Sequence, residues 1–439
     1  MIFPADFIII KASFRKDFLI PRGLRPFTSR RGCALLPQLQ HGWHRMTLWK
    51  EKRRIFITCA RGTPWILEGE IRALRFPDLA TLETAVETEG TLADTVRLNL
   101  SLRTAQRILY LLDAFPAGQA QDLYRRLVKL PWETIIAPDG YLSVTSSADT
   151  DAVRDTRFAN MKTKDAIVDR IRDRKGRRPD SGPGRHGAVV HLHWKDDRCE
   201  VWIDTSGEPL SRRGYRKIPL EAPMQETLAA AVILATGWDG RTPLINPMCG
   251  SGTLAIEGAL IALERAPGIL RQNFGFMHIL GFDSPAFQRE REELKKKAHR
   301  KAPGRIVATD IRPAAVEAAR RNARTAGVEH LIEFRACDFR DTPVPDGEGV
   351  VILNPEYGER MGDTDKLGEI YRGIGDFFKS KCPGYRGYIF TGNLDLAKKV
   401  GLRTKRRMPF YNGPIECRLL EYELYRGSHR ASPAGKSPG

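Results

Sequence analysis

Cysteine is scarce in this 439-residue sequence, and long apolar runs are missing from it. The seven cysteines are scattered, and no two of them stand in a Cys-x-x-Cys pair, which argues against a disulfide framework and against a zinc ribbon. No apolar run approaches the roughly 20 residues that a membrane-spanning helix needs. The apolar stretch over residues 7–10 is flanked by charges and lacks the pattern of a secretory signal peptide. These absences favour a protein of the reducing cytoplasm.

Acidic residues are outnumbered by basic ones. The chain has 71 Lys and Arg residues against 53 Asp and Glu residues, a formal net charge of +18. Such an excess attracts polyanions, because contacts with phosphates release condensed counterions. We therefore expect a nucleic-acid partner. A basic surface that serves only solubility is the alternative.

The length favours two or three domains, and the pattern of the chain changes at about residue 214. Before that point strands and helices are mixed; among them we predict a strand over residues 95–100 and a helix over residues 104–115. After it, strands and helices alternate regularly, which is typical of a mostly parallel sheet covered by helices on both faces. The sequence therefore predicts an α/β half that follows an α+β half.

Both ends of the chain differ from the rest. Residues 1–45 are basic and nearly without periodicity, and Met46 follows directly. They are predicted either as translated leader upstream of the true start or as a basic tail that contacts RNA, and we expect residues 1–51 to be disordered. Residues 427–439, rich in Ser, Pro, Gly and basic side chains, are predicted as a disordered tail.

A glycine-containing turn connects the predicted strand 243–246 to the predicted helix 253–265. Its glycines permit a tight turn and the close approach of a nucleotide-like ligand to the backbone. No Lys-Ser/Thr pair follows them, so this is not a triphosphate-binding loop. The residues predicted to contact the ligand here are Asn246, Pro247, Met248, Cys249, Gly250, Gly252 and Thr253.

Two carboxylates follow the next two predicted strands. Asp310 can accept hydrogen bonds from both ribose hydroxyls of an adenosine-containing ligand, as in dinucleotide sites. Asp338 can accept from an adenine amino group. Either of them alone is better explained as a helix cap or a loop residue. Together with the glycine turn they predict one shared ligand site, which also includes the neighbouring Ile311 and Phe339.

The run Asn354-Pro355-Glu356-Tyr357 ends the predicted strand 350–354. It resembles the Asn-Pro-Pro-Tyr signature of class I methyltransferases that act on exocyclic amino groups of bases. With the glycine turn, and with runs such as 102–107, 164–170 and 204–210, it makes the chain similar to the THUMP-containing RNA methyltransferases. The resemblance covers about residues 52–426.

The resemblance implies a fold, a cofactor and a substrate. It implies a ferredoxin-like domain over residues 52–105, a THUMP RNA-binding domain over residues 106–207, and a Rossmann-like methyltransferase domain with a seven-stranded sheet over residues 215–426. It implies S-adenosylmethionine as the cofactor and N2-methylation of a guanine in 23S rRNA. Relatives can carry a second methyltransferase domain after the first, and we expect none here because few residues follow residue 426.

The chemistry of an exocyclic amine explains the signature. The guanine amino nitrogen is a poor nucleophile because its lone pair is delocalised into the ring. The Asn354 side-chain oxygen and the Pro355 carbonyl can accept hydrogen bonds from its N–H groups. Tyr357 can stack on the flipped base. Glu356 stands where the family has a second proline. We expect either a tolerated variant whose side chain points away or a loss of activity.

Basic residues in and after the predicted helix 163–174 are candidate RNA contacts. A solvated basic face is the alternative. His191 and His193 share one face of a strand, but no third ligand lies near them in the sequence, so we expect no metal site. The predicted RNA-binding residues are Lys162, Lys164, Arg170, Arg174, Arg177, Arg213 and Arg216.

Three other functions remain open at this point. A tRNA guanine-N2 methyltransferase is built from the same parts. A DNA adenine-N6 methyltransferase uses the same signature, although the N-terminal half argues for structured RNA. A non-catalytic RNA-binding or ribosome-assembly factor is the alternative that Glu356 suggests. We assume a monomer, since nothing in the sequence indicates an oligomer.

Overall fold

The computed structural model describes residues 48–77, 79–153, 155–218, 224–356 and 364–426. The predicted extension over residues 1–51 lies almost entirely outside these ranges, and so does the predicted tail over residues 427–439. None of the helices in the described ranges is both long enough and apolar enough to cross a bilayer.

One mixed sheet of eight strands organises the N-terminal half. The strands are β1 (Arg53–Cys59), β2 (Ala80–Thr81), β3 (Ala85–Gly90), β4 (Ala105–Pro116), β5 (Tyr141–Asp149), β6 (Asp180–Ser181), β7 (Ala188–Lys195) and β8 (Arg198–Asp204). Their order in the sheet is β2-β3-β1-β4-β8-β7-β5-β6. The helices are α1 (Pro64–Ala73), α2 (Asp94–Ser101), α3 (Ala120–Leu127) and α4 (Thr156–Lys175). Since β4 pairs with β1 on one side and with β8 on the other, the predicted ferredoxin-like and THUMP segments share one sheet.

The predictions for residues 95–100 and 104–115 were wrong, because the two elements are exchanged. The first is helix α2 and the second is strand β4. Thr91 and Asp94 form a reciprocal capping pair, with Thr91 N donating to Asp94 Oδ2 at 2.7 Å and Asp94 N donating to Thr91 Oγ1 at 3.1 Å. Short apolar runs look alike in periodicity, and here the cap and the pairing of β4 on both edges decide between helix and strand.

The C-terminal half is built on a seven-stranded sheet. Its strands are β9 (Leu244–Pro247), β10 (Ile306–Asp310), β11 (Ile332–Ala336), β12 (Val350–Leu353), β13 (Arg386–Thr391), β14 (Arg406–Asn412) and β15 (Ile415–Glu423). The order is β11-β10-β9-β12-β13-β15-β14. The first five are parallel and the terminal hairpin is antiparallel, so the sheet is mixed. The predicted fold class, with a mostly parallel seven-stranded sheet, is confirmed.

Helices cover both faces of this sheet. They are α5 (Glu226–Ala235), α6 (Thr253–Ala262), α8 (Pro313–Ala326), α9 (Thr364–Lys381) and α10 (Leu394–Lys398), whereas α7 (Ser284–Lys297) buries its Phe287 in the core of the N-terminal half. One apolar core lies under α5, α6 and α8, and a second lies under α9. The chain order reverses where β9 pairs with both β10 and β12. In open α/β sheets, ligands bind beyond the carboxyl ends of the strands at such a point.

The segment that follows α6 and runs into the first turn of α7 leaves the C-terminal half and completes the core of the N-terminal half. We call residues 266–287 the bridging segment. Its Phe274, Phe276 and Phe287 are buried in the same cluster as the strands of the first sheet. The Phe274 and Phe276 rings stack with their centres 5.0 Å apart. Leu280 N donates to Ile135 O at 2.8 Å, and Phe276 N donates to Thr205 O at 2.9 Å.

A buried guanidinium fastens the bridging segment to the chain that follows β8. Arg271 donates to the carbonyl oxygens of Pro209 at 2.6 Å and of Ser206 and Glu208 at 3.0 Å. It also lies over the Phe274 ring, with its Cζ 4.8 Å from the ring centre. Burial lowers the pKa of Arg271 to about 10, so the group stays charged at neutral pH. The two halves are therefore joined by charged hydrogen bonds as well as by apolar contacts.

We predict that Phe276→Ala lowers the free energy of unfolding by about 3–5 kcal/mol, because it leaves a cavity where the two halves meet. The measurement is urea denaturation followed by circular dichroism. Ile415→Ala is the control, since Ile415 lies exposed at the tip of the terminal hairpin. A loss below about 1 kcal/mol for Phe276→Ala would contradict its placement in the core.

Candidate active site

The glycine turn between β9 and α6 has the open shape that a ligand needs. Gly250 and Gly252 have φ values of 54° and 82°, in the left-handed region that favours glycine. A Cβ at Gly252 would lie 2.8 Å from Ala319 Cβ of α8, so glycine lets α6 begin against that helix. A Cβ at Gly250 would meet nothing within 4 Å, which leaves room beside the turn.

Asp310 holds the glycine turn against the end of β10. Its carboxylate is almost completely buried, and Oδ2 accepts from Gly250 N at 3.0 Å while Oδ1 accepts from Arg312 N at 3.0 Å. Each carboxylate oxygen has further acceptor capacity, so the predicted contact with ribose hydroxyls is compatible with these bonds. The next residue, Ile311, is apolar and yet 66% exposed, and its contact with the ligand stays a prediction.

Asp338 acts as a cap in the structure. Its Oδ1 accepts from Arg340 N at 2.9 Å at the start of the short turn Phe339–Asp341, and its carboxylate pairs with the Arg340 guanidinium at 3.1 Å. Phe339 is buried edge-on against Phe377, with the ring centres 6.1 Å apart. The capping interpretation thus describes Asp338 as it stands, and its contact with an adenine amino group stays a prediction.

Two asparagines lie at the carboxyl ends of the central strands. Asn246 Nδ2 donates to Ile352 O at 3.0 Å, which ties β9 to β12. The Oδ1 atoms of Asn246 and Asn354 are both buried, and neither accepts a hydrogen bond from the described part of the chain. Buried polar atoms are rarely left unpaired, so each of these two carbonyl oxygens calls for a donor, and a ligand can supply one.

The other three residues of the Asn-Pro-Glu-Tyr run differ in how far the structure describes them. Pro355 is buried. Glu356 is exposed, and the direction of its side chain relative to the site stays a prediction. Tyr357 lies outside the described residues, so its predicted stacking on the base stays a prediction.

Neither Cys249 nor the two histidines supplies a further reactive centre. Burial raises the pKa of the Cys249 thiol well above its usual range, so it is not a thiolate nucleophile. His191 shares a hydrogen bond of 2.9 Å with Thr145 Oγ1, and burial lowers its pKa to about 3. Across the described ranges, no group of three His, Cys, Asp or Glu residues is arranged to hold a metal ion.

The predicted RNA-binding residues on and after α4 differ in their exposure and in whether their charges are already paired. Arg174 and Arg177 are exposed at its end. Lys162 lies 5.7 Å from the Phe158 ring centre, and Lys164 pairs with Asp165 at 3.1 Å on the surface. Arg170 is engaged by Glu133 through two hydrogen bonds of 2.9 Å, so its guanidinium is already paired.

Arg213 does not fit the prediction of an RNA contact. It is only 1% exposed, with its Nε 3.6 Å from Glu257 Oε1 and its Nη1 donating to Leu210 O at 2.9 Å. Tyr215 also donates to Glu257 Oε1, at 3.1 Å. Glu257 belongs to α6, the helix that begins at the glycine turn, so this cluster connects the chain after β8 with the candidate cofactor site.

Arg216 is also held inside the protein. Its Nη2 donates to Met224 O at 2.7 Å and to Thr253 Oγ1 at 3.2 Å, and it pairs with Glu226 at 3.3 Å. Arg216 therefore stabilises the start of α6, and its guanidinium is not available as a surface contact for RNA. Glu257 and Arg271 stand in no motif and were not predicted. The one available signal was the carboxylate of Glu257 within the otherwise apolar helix 253–262.

Family models match three parts of the chain. The RlmL ferredoxin-like domain matches residues 54–109, the THUMP domain residues 117–204, and the RMKL-like methyltransferase domain residues 213–421. The Synechocystis protein slr0064, whose name describes an RNA methyltransferase, is 34% identical over 373 residues, which cover 85% of this chain and 97% of that protein. The chain belongs to this THUMP-containing methyltransferase family. The resemblance found in the motifs is thus confirmed.

Two longer relatives carry the name ribosomal RNA large subunit methyltransferase K/L. The protein from Syntrophotalea carbinolica is 34% identical over 396 residues, covering 88% of this chain and 55% of that protein. The one from Allochromatium vinosum is 36% identical over 389 residues, covering 85% of this chain and 53% of that protein. The chain thus spans about half the length of these relatives.

Solved structures share the fold across both halves. The methyltransferase SMU.472, solved in complex with S-adenosylhomocysteine, has a TM-score of 0.77 and 29% identity, covering 86% of this chain and 100% of that one. A Listeria monocytogenes protein named as an N6-adenine-specific DNA methylase has a TM-score of 0.76 and 30% identity, covering 85% and 97% of the two chains.

We predict that Gly252→Ala weakens S-adenosylmethionine binding by about tenfold or more, because a Cβ there strains the turn and collides with α8. Isothermal titration calorimetry measures the affinity. Gly176→Ala is the matched control, since Gly176 also has a positive φ, of 68°, but faces open space at the end of α4. Equal affinities for both variants would contradict the assignment of the turn.

Proposed function

We propose that the protein transfers the methyl group of S-adenosylmethionine to the exocyclic N2 of a guanine in 23S rRNA. The observation that carries this proposal is the buried Oδ1 of Asn354, which accepts no hydrogen bond from the described residues and lies at the end of β12, one strand away from the glycine turn. An amino group needs an acceptor placed beside the methyl donor, and this oxygen fits that requirement.

The residues at the strand ends fit the cofactor. Space beside Gly250, the carboxylate of Asp310 and the exposed Ile311 offer room, acceptors for ribose and an apolar cover for adenine. SMU.472 with its bound S-adenosylhomocysteine supports the same use of this fold. S-adenosylmethionine, when bound, supplies an electrophilic methyl group next to a sulfonium.

The protein's own contribution is position and polarity. The Asn354 Oδ1 and the Pro355 carbonyl accept from the two N–H bonds of the guanine amino group. These bonds orient the nitrogen and increase its electron density as it attacks. The proton that the product must lose passes to solvent after transfer, because the methylated ammonium is strongly acidic. No general base is required before transfer.

Several observations support RNA as the substrate. The THUMP match covers residues 117–204, and the relatives from Syntrophotalea carbinolica and Allochromatium vinosum are named for ribosomal RNA. The net charge of +18 and the exposed Arg174 and Arg177 suit a phosphate backbone. The name of the Listeria monocytogenes protein suggests DNA instead, but the THUMP half favours structured RNA. We further propose that the protein acts as a monomer in the cytoplasm.

Methyl transfer followed by nucleoside analysis tests the proposal. The protein is incubated with radiolabelled S-adenosylmethionine and with 23S rRNA, tRNA or DNA from a strain that lacks the gene. We expect N2-methylguanosine in 23S rRNA. Label only in tRNA, label as N6-methyladenine in DNA, or no label at all despite cofactor binding would each overturn the proposal.

Asn354→Ala is predicted to lower kcat by about a hundredfold while leaving the dissociation constant for S-adenosylmethionine within about twofold. The reason is that the acceptor acts on the amino group in the transition state and not on the cofactor. Single-turnover kinetics and calorimetry separate the two quantities. Gln119→Ala, which removes an exposed amide with no capping bond, is the matched control. A parallel loss of cofactor affinity would contradict the assigned role.

A further inference from the structure

Arg61 and Tyr411 meet where the N-terminal half touches the terminal hairpin, and Trp65 lies in the first turn of α1, just after Arg61 in the chain. The Arg61 guanidinium lies over the Tyr411 ring, with its Cζ 4.6 Å from the ring centre. The Trp65 indole N–H donates to Gly62 O at 3.2 Å. A Cβ at Gly62 would lie 2.5 Å from Pro409 O, so the turn between β1 and α1 packs directly on β14. We call Arg61, Trp65 and Tyr411 the seam cluster.

The seam cluster presents aromatic and cationic surface to solvent. Trp65 is 53% exposed, although indole is among the side chains that gain most from burial. Its hydrogen bond to Gly62 O restricts the orientation of the ring. Arg61 pairs with Glu83, and both side chains are half exposed. Exposed ion pairs contribute little to stability, so the guanidinium can exchange Glu83 for a phosphate.

The register of the strands places the seam cluster at the edge where the candidate active site lies. Pro409 of β14 is opposite Arg418 of β15, and Arg418 is opposite Thr391, the last residue of β13. Tyr411 therefore lies beyond the carboxyl end of β13, on the same edge as Asn354. In the sheet, β14 is three positions from β12, a lateral distance of about 14 Å.

We propose that the seam cluster stacks unpaired nucleotides that flank the target guanine in the RNA. The inference rests on the proposed function. A guanine drawn out of its helix leaves its neighbours partly unstacked, and an aromatic ring accepts any base face without regard to sequence. Trp65 and Tyr411 supply such faces a few nucleotides from Asn354, and Arg61 supplies a contact to the phosphate between them.

Binding of protein-free 23S rRNA and of a fully paired RNA duplex, measured by filter binding, tests the seam cluster. Trp65→Ala is expected to weaken binding of the rRNA about tenfold, the effect of one lost base stack, and to leave duplex binding unchanged. Trp65→Phe should restore most of the rRNA affinity because it restores an aromatic face. Leu79→Ala removes another exposed apolar side chain and should change neither affinity.

Three results separate this inference from the proposed function. Unchanged rRNA affinity in Trp65→Ala, with a circular dichroism spectrum like that of the unaltered protein, would overturn the seam cluster. Equal losses for rRNA and duplex would also overturn it, since a duplex offers no unpaired base. A Trp65-dependent rRNA affinity in a protein that forms no N2-methylguanosine would support the seam cluster and overturn the proposed function.

Discussion

The insertion of the bridging segment into the N-terminal core is the constraint on which the rest of the molecule depends. Phe274, Phe276 and Phe287 supply part of that core, although they belong by sequence to the C-terminal half. Arg271 adds a charge that is nearly removed from water and must be compensated by acceptors. Because carbonyl oxygens and the Phe274 ring surround it, the guanidinium stabilises one arrangement of the halves and penalises others.

The same connection reaches the candidate cofactor site. Arg213 and Tyr215 hold Glu257 in the middle of α6, and Arg216 holds Thr253 at its start. The glycine turn that precedes α6 is thus braced by the chain that leaves the last strand of the N-terminal half. Under the proposed function, this connection would present an RNA bound to the N-terminal half to Asn354 in one geometry, and the shape of the RNA would contribute to the choice of nucleotide.

Much of the fold and of the site could be predicted from local patterns. The glycine turn, Asp310 and Asn354 each follow an apolar strand, and parallel strands bring their carboxyl ends together, so sequence order alone predicts a shared site. The exchange of α2 and β4 could not be predicted from periodicity, because runs of six and twelve residues with mixed apolar and polar positions satisfy both patterns. The Thr91–Asp94 capping pair was the signal that distinguishes them.

Long-range burial was the part that local patterns do not contain. Arg213 stands in a basic stretch of sequence and looks like an RNA contact, yet its partner Glu257 is 44 positions away in the chain, as the two residue numbers show. The burial of the bridging segment likewise depends on partners that are far away in the sequence. Its phenylalanines are typical of a core, but nothing in their spacing indicates that the core is that of the other half.

The distance between spin labels on the two halves tests whether the bridging segment holds the halves in one arrangement. The labels are attached at Asp197→Cys, in the turn between β7 and β8, and at Leu394→Cys, at the start of α10. Cys33 and Cys337 are replaced by serine, and pulsed electron resonance measures the distance between the labels. If the bridging segment fixes the two halves, the labels give one narrow distance distribution that stays the same when 23S rRNA is added. A broad distribution, or one that shifts with rRNA, would show that the halves move independently and would contradict it.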